Sequence, residues 1–226
     1  MPGRKTKLVN NHYYHIVNRG VSSQDLFLDF LYYSRAIETL KYYKHSRPPI
    51  KFSRFIKLSG KNKFEIFQKL ESSKEQLVEI LAYTLMPNHI HLVIKQVSDN
   101  GISTFMSKYQ NSFTRFFNLK NKRKGHIFQS AFRSAYISDE EQLLHVIRYV
   151  LLNAYSAGII DNLKDIKSYP FSCFGEYLDP KYKRGLCSTA FVMGHFGSVC
   201  KLEKFVFDNA DYQKKLQDIK RILLET

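Results

Sequence analysis

Two histidines separated by one residue, His89 and His91, are well placed for chemistry in this sequence. They follow a Pro-Asn turn signal and alternate with the apolar residues Ile90, Leu92 and Ile94, as expected in a β-strand. Alternate residues of a strand face the same side, about 6–7 Å apart, so both imidazoles point the same way. Two parallel imidazoles on a rigid strand can bind a metal ion. They can equally form ordinary hydrogen bonds on a polar sheet face.

A predicted helix further along the chain, DEEQLLHVIRYVLLNAYSAG, carries a second set of polar side chains. His145, Tyr149 and Asn153 recur every four residues and therefore share one stripe of this helix. A different, apolar stripe is predicted to be buried: Leu144, Ile147, Leu151 and Ala154. If the polar stripe faces the histidine strand, the amide of Asn153 supplies a third ligand and the phenol lies beside it. If it does not, these are ordinary half-exposed helix residues.

The chain is basic and rich in aromatic residues, which favours a nucleic-acid partner. Of its 226 residues, 35 are Lys or Arg and 20 are Asp or Glu, giving a net charge of +15. The 15 Tyr and 18 Phe add rings on which bases can stack. The densest cationic run contains Lys120, Lys122, Arg123 and Lys124, and it is either a phosphate-contacting loop or a solvated surface loop. Membrane binding is disfavoured because neither end carries a basic amphipathic anchor.

Several features indicate a cytoplasmic protein. No apolar run approaches the ~18 residues of a membrane span, and the first residues have no apolar signal-peptide core. Cys173, Cys187 and Cys200 are odd in number and widely spaced, which predicts reduced cytosolic thiols.

The elements that would position the polar residues can be predicted in order from the apolar periodicity. We expect a strand over 12–19, a helix over 23–45, a basic loop over 46–60, and a shorter helix over 64–72. A strand over 76–85 then forms a hairpin with the histidine strand at the centre of the sheet. A helix over 101–119 and a strand or irregular hairpin over 126–137 follow. Ser138 and Glu141 form a capping box at the start of the predicted helix that carries Tyr149, which we call the tyrosine helix, and Gly158 ends it. A turn at 169–174 packs against an edge.

This order predicts an α+β fold, a ferredoxin-like (split β-α-β) sandwich with an antiparallel sheet. Residues 1–11 are predicted to be a basic arm and 12–180 the main domain. Residues 181–226 are predicted to be a C-terminal helical extension that ends in a helix over 209–224.

The motifs resemble those of the single-tyrosine HUH endonucleases, the IS200-like transposases, and especially the branch that includes the repeat-associated tyrosine transposases. The stretch PNHIHL is similar to the family's His-hydrophobic-His motif, and RYVLLN followed by AG is similar to its catalytic-tyrosine helix. The stretches HIVNRG, FQSAF and YPFSCF also stand where relatives carry similar sequences. Two departures bear on substrate choice: Asn-Ala-Tyr replaces the frequent Asn-Pro-Val, and the segment 49–74 is longer than usual.

The resemblance implies a metal-dependent endonuclease and strand transferase that acts on single-stranded DNA with a hairpin through a 5′-phosphotyrosine intermediate. Tyr149 would be the nucleophile, and His89, His91 and Asn153 would hold Mg²⁺ or Mn²⁺, although imidazoles alone also accept Zn, Ni or Co. His145 could assist proton transfer, or serve as a structural or DNA-contacting residue. Arg19, Gln129 and the cationic run are further predicted DNA contacts. Both a monomer and a homodimer are compatible with the sequence.

Two other classes of protein fit less well. A non-catalytic nucleic-acid-binding or regulatory protein would keep the sheet and the basic face, but it would have lost His89, His91 or Tyr149, and all three are present. A metal-dependent hydrolase that uses a bound water usually adds an acidic cluster, which this sequence lacks.

Overall fold

Four strands form an antiparallel sheet at the centre of the fold. The structure is a computed structural model, and it describes residues 7–129, 131–179, 185–211 and 213. The strands are β1 (Tyr13–Arg19), β2 (Val78–Met86), β3 (His89–Gln96) and β4 (Arg133–Ile137). Their order across the sheet is β2-β3-β1-β4, and each strand runs antiparallel to its neighbours. This is the order of a split β-α-β unit, so the predicted ferredoxin-like α+β fold is confirmed.

Three long helices cover the two faces of this sheet: α1 (Phe30–Tyr43), α4 (Gly101–Lys120) and α5 (Glu140–Ser156). Helices α1 and α4 pack together on one face, where Gln110 of α4 donates a hydrogen bond to Asn18 of β1 at 3.0 Å. On the other face, the hydroxyl of Thr84 in β2 donates to the carbonyl of Val150 in α5 at 2.6 Å. The tyrosine helix is therefore fixed directly to the sheet.

The register of β3 decides which of its side chains meet which helix. Ile90 is the partner of Asn18, whereas His91 is the partner of Thr84. Because side chains alternate along a strand, Ile90, Leu92 and Ile94 face α4, whereas His89, His91 and Val93 face α5. The apolar residues are fully buried and form part of the main core.

The two ends of α5 are set by local hydrogen bonds. Asp139 is the N-cap, and its carboxylate accepts from the backbone N–H of Gln142 at 2.8 Å. The predicted capping box of Ser138 and Glu141 is therefore wrong. A carboxylate one residue further on caps the helix better because it also faces the positive end of the helix dipole. At the other end, Gly158 adopts a positive φ of 70° and ends the helix, as predicted.

Helix α1 begins later than its apolar pattern predicts. Its N-cap is Asp29, whose carboxylate accepts from the N–H of Leu31 at 2.7 Å. The predicted start at residue 23 is wrong because Leu26 and Phe27 reach the core from a loop rather than from a helix. A short 3₁₀ turn, Val21–Ser23, precedes that loop.

The basic segment after α1 contains two helices, α2 (Phe52–Phe55) and α3 (Gly60–Ser73). The prediction of a continuous loop over 46–60 is therefore wrong, and α3 is longer than expected because Ser59 caps it. A small second core holds these helices against the end of α1. It consists of Tyr42, Phe52, Phe55 and Leu70.

Strand β2 forms an edge of the sheet, so the predicted position of the hairpin at the centre is wrong for this strand. The split topology inserts β1 beside β3 and leaves β2 outside. Its outer side is covered by the predicted turn at 169–174, where Leu85 donates to the carbonyl of Phe171 at 2.8 Å. Further along, Ser188 donates to the carbonyl of Ile80 at 2.8 Å.

Three more helices follow in the C-terminal part: α6 (Phe174–Leu178), α7 (Ala190–Phe196) and α8 (Val199–Phe207). Leu202 and Val206 of α8 are buried in the main core, against α5. Most of the predicted helix over 209–224 and residues 1–6 of the predicted arm lie outside the described residues, and the division at 180 stays a prediction. Among the helices that the structure describes, none has the length and apolar character needed to cross a membrane.

Candidate functional site

The two histidines of β3 lie together under α5, on the polar face of the sheet. Their ring centroids are 4.8 Å apart; His91 is 3% exposed and His89 is more accessible. The Nδ1 of His89 lies 2.6 Å from the side-chain oxygen Oδ1 of Asn88. Since that oxygen is an acceptor, Nδ1 carries the proton and Nε2 keeps a free lone pair. A hydrogen bond of this kind is the usual way in which a protein orients a metal-binding imidazole.

A third histidine, His15 of β1, completes the cluster. Its Nε2 lies 3.0 Å from the Nδ1 of His91, and the two rings stack with centroids 5.2 Å apart. Both side chains are buried. Sequence reasoning missed His15 as a site residue, although its signal is present. Alternation along β1 places His15 on the same face as Arg19, and the split topology requires β1 to lie beside β3.

The ring of Tyr149 meets this cluster edge-on. Its centroid is 5.7 Å from that of His15 and 5.8 Å from that of His91, at interplanar angles of 82° and 78°. Within the predicted polar stripe, Tyr149 therefore faces the histidines, whereas His145 is exposed. The apolar stripe is buried as predicted.

Asn153 lies one helical turn beyond Tyr149 and is 1% exposed. Neither its oxygen nor its nitrogen has a hydrogen-bond partner among the described residues. A buried amide without partners costs free energy that a bound group would recover. The amide oxygen is a suitable ligand for a hard divalent cation, so the residues fit the predicted metal site.

The electrostatics of the cluster favour neutral imidazoles. Burial, assisted by the charge of Arg19, lowers the pKa of His89 to about 3. Burial also places the pKa of His91 well below its usual range, with added repulsion from His89, His15 and Arg19. Neutral imidazole is the form that binds metal. No three His, Cys, Asp or Glu side chains in the described part of the chain are arranged to hold an ion, so the predicted set depends on the amide of Asn153.

The other predicted DNA contacts occupy different positions. Arg19 is the register partner of His89 and so lies at the site, and the backbone N–H of Gln129 donates to the carbonyl of Arg19 at 2.8 Å. His145 is half-exposed and lies 2.8 Å from Arg148 and 3.8 Å from Glu141. Its ring also lies 5.8 Å from that of Phe205 in α8, and its predicted role in proton transfer stays a prediction.

The cationic run divides into exposed and anchored residues. Lys120, Lys122 and Lys124 are exposed. Arg123 instead donates to the side chain of Gln24 at 2.7 Å and to the carbonyl of His126 at 3.3 Å. Arg123 therefore holds the loop in place, while the three lysines can contact phosphates.

Comparison with known proteins identifies the class to which this fold and site correspond. Residues 53–153, which include His89, His91, Tyr149 and Asn153, match the family model described as "Transposase IS200 like". The resemblance to the IS200-like transposases, predicted from the motifs, is confirmed over these residues.

A solved structure shares the fold over most of both chains. It is described as the REP-associated tyrosine transposase bound to a REP hairpin. The aligned region covers 84% of this chain and 90% of the chain in that structure. The TM-score is 0.54 and the sequence identity is 17%. No curated protein sequence matches this chain.

Proposed function

We propose that this protein cuts and rejoins single-stranded DNA, with Tyr149 as the nucleophile. The observation that carries the proposal is the edge-on contact of the Tyr149 ring with His15 and His91, 5.7 and 5.8 Å between centroids. An ordinary half-exposed helix tyrosine would not need two buried imidazoles beside it. The family match supports a transposase-type action on DNA.

Cleavage of a phosphodiester requires three things from the site. The phosphate charge must be neutralised, the nucleophile must be placed in line, and the leaving oxygen must be stabilised. His89 and His91 through Nε2, with Asn153 through its amide oxygen, would hold a divalent ion such as Mg²⁺ or Mn²⁺. When bound, that ion supplies charge neutralisation at the phosphate and lowers the cost of ionising a phenol.

The residues of this chain position the reacting groups. The hydrogen bond between Thr84 and the Val150 carbonyl fixes α5, and with it Tyr149, over the sheet. The phenol oxygen attacks phosphorus, the bond to the 3′ oxygen breaks, and the leaving strand takes up a proton as a 3′-hydroxyl. The resulting 5′-phosphotyrosine conserves the phosphodiester energy, so a 3′-hydroxyl can attack it later and reseal the strand.

The DNA partner follows from charge and from the solved relative. Arg19 lies beside the histidines, and Lys120, Lys122 and Lys124 are exposed cations further out. The structurally similar transposase is described as bound to a hairpin. We therefore propose a single strand with a hairpin as the substrate of this protein.

The test uses Tyr149→Phe, with Tyr155→Phe as a matched control on the same helix. Tyr155 donates its hydroxyl to Asp211 at 2.9 Å and lies outside the ring contacts of the histidine cluster. Each protein is incubated with single-stranded oligonucleotides and Mn²⁺, and covalent adducts are mapped by mass spectrometry. We expect the adduct to be lost in Tyr149→Phe and kept in Tyr155→Phe. DNA affinity should change little in either variant because phosphate contacts carry most of it.

Two results would overturn the proposal. Undiminished nicking by Tyr149→Phe, or an adduct mapped to Tyr155, would assign the nucleophile elsewhere. Hairpin binding by the unsubstituted protein without any adduct would instead indicate a non-catalytic DNA-binding or regulatory protein.

A further inference from the structure

A second basic surface lies on the other side of the sheet from the histidines. It is a groove of about 1150 Å³ between α1, α2 and α4. Besides Arg35, six Lys and Arg side chains line it: Lys51, Arg54, Lys57, Lys108, Arg115 and Lys120. No Asp or Glu occurs among the described residues of its lining. We call this surface the α4 groove.

The α4 groove and the histidine cluster lie on opposite faces of the sheet. Helix α4 packs on the face of the sheet that carries Asn18, as the hydrogen bond from Gln110 shows. The histidines lie on the opposite face under α5, which is joined to Thr84. The whole thickness of the sheet separates the two surfaces, so a ligand in the groove contacts, apart from Lys120, residues that the proposed cleavage does not use.

In the described part of the chain, no acidic side chain neutralises the six cations of the α4 groove. None of the six forms an ion pair within the described ranges, whereas nearby Lys63 pairs with Glu38 at 2.9 Å and Lys44 with Glu71 at 3.0 Å. Like charges gathered around one concave surface repel each other, and a bound polyanion removes that repulsion. The surface therefore favours a ligand with several negative charges.

The floor of the groove offers flat and apolar surface between these cations. Phe116 and Tyr43 are partly exposed there, and Leu119 is 73% exposed. The guanidinium of Arg35 lies 4.9 Å from the Phe116 ring and 5.7 Å from the Phe52 ring, and so connects α4 to α2. Rings interleaved with cations suit the bases and phosphates of a single strand better than an acidic peptide.

We propose that the α4 groove binds a single strand of nucleic acid, namely the part of the substrate that lies away from the cleaved bond. The identification of the strand as DNA rests on the proposed function. The identification of the groove as a binding site for a single strand does not. Lys108 and Lys120 lie about 18 Å apart along the helix axis, at ~1.5 Å per residue, which is long enough for several phosphates. The segment 46–60, interpreted from the sequence only as a basic loop, supplies half of the six cations.

The experiment compares two triple variants with the same change in charge. The groove variant is Arg54→Gln, Lys57→Gln and Arg115→Gln. The control is Lys61→Gln, Lys69→Gln and Lys164→Gln, at exposed positions outside the groove. Binding is measured by fluorescence anisotropy across a salt series, with a hairpin that carries a 20-nucleotide single-stranded tail and with the same hairpin without a tail.

We expect the groove variant to lose on the order of tenfold in affinity for the tailed hairpin. The log–log salt slope should become shallower by roughly 2, at about 0.7 for each single-strand phosphate contact. The tailless hairpin should bind both variants alike, and the control should stay within about twofold of the unsubstituted protein. A tail containing 5-iododeoxyuridine should crosslink to Tyr43 or Phe116 on irradiation.

Three outcomes would overturn the proposal. Both triple variants could weaken tail binding equally, the crosslinks could map to other surfaces only, or polyglutamate could compete as well as the tail does. The last result would assign the groove to an acidic protein. Adduct formation at Tyr149, measured with a short oligonucleotide at saturation, separates the two proposals. Tail binding that depends on the groove without any adduct would overturn the proposed cleavage alone, and intact adducts with groove-independent tail binding would overturn the groove alone.

Discussion

His15 shows at the scale of single residues how one strand controls the chemistry of its neighbour. Its Nε2 lies 3.0 Å from the Nδ1 of His91, in a buried and stacked arrangement. If His15 accepts this hydrogen bond, the proton of His91 stays on Nδ1 and its Nε2 can bind an ion. His15 is then a positioning residue, because it acts on the site through His91.

This role can be tested with variants that keep or remove the acceptor. We expect His15→Gln, whose amide oxygen can still accept, to hold Mn²⁺ within about threefold of the unsubstituted protein. His15→Leu leaves the proton of His91 without a partner and should weaken Mn²⁺ binding by about 10- to 100-fold. His91→Ala, which removes a ligand, serves as the reference for complete loss.

The readout is a Mn²⁺ titration followed by electron paramagnetic resonance, with circular dichroism melts to confirm that each variant folds. Unchanged Mn²⁺ affinity in His15→Leu would show that the contact is only structural. Equal losses in the Gln and Leu variants would show that packing, rather than the acceptor, matters.

The residues of the site differ in how far the sequence predicts their position. The i, i+2 spacing of His89 and His91 and the i, i+4 spacing of Tyr149 and Asn153 lie within single elements, so strand and helix periodicity are enough to pair them. His15 comes from a separate strand, and its contact depends on the register between strands, which periodicity does not contain.

At the scale of elements, Glu71 connects α3 to the end of α1. Its carboxylate lies 3.0 Å from the ammonium of Lys44 and 3.6 Å from the imidazole of His45. Burial works to raise the pKa of Glu71, but the His45 and Lys44 contacts outweigh it and lower the pKa from 4.5 to about 2. A group with a lowered folded pKa contributes stability above its unfolded pKa and loses it as the pH falls toward the folded value.

We therefore expect Glu71→Gln to lower the free energy of unfolding at pH 7 by about 0.5–1 kcal/mol, a discounted value because the carboxylate is partly exposed. The difference from the unsubstituted protein should shrink as the pH falls from 4.5 toward 2. Urea unfolding at pH 7 and pH 3 measures it. Glu75→Gln is the control, since Glu75 meets Arg47 only at 3.9 Å on the surface. A difference for Glu71→Gln that grows at low pH would contradict the assignment.

Elements with a clear apolar period were predicted more closely than those held by tertiary contacts. The helix expected over 101–119 is α4, one residue longer. Helix α2 has only four residues, and its formation depends on the separate cluster around Phe55, so local pattern does not reveal it. The start of α1 was misplaced for a related reason, because apolar side chains at helical spacing can also reach a core from a loop.

At the scale of the whole molecule, the net charge of +15 is distributed over more than one face. Arg19 lies at the histidine cluster, the exposed lysines of the 120–124 run lie further out, and the α4 groove lies on the opposite face. Such a distribution favours a long, flexible polyanion over a compact one.

We accordingly expect single-stranded and hairpin DNA to bind more tightly than blunt duplex, with strong salt dependence. About six phosphate contacts on a single strand give a log–log slope of roughly −4. Fluorescence anisotropy with a hairpin, a linear strand and a duplex of equal length, each across a salt series, measures both quantities. Equal affinity for all three DNAs, or an affinity that does not change with salt, would contradict the proposal that the positive charge binds single-stranded DNA.

The covered edge of β2 limits how copies of this protein can associate. Leu85 and Ile80, on the outer side of that strand, are already bonded to Phe171 and Ser188. A second copy cannot extend the sheet there by pairing its own strand unless it first displaces these segments. Any symmetric assembly that leaves the fold intact must therefore use helical or loop surfaces or the β4 side. Two copies of this chain cannot form a continuous eight-stranded sheet by pairing their β2 strands.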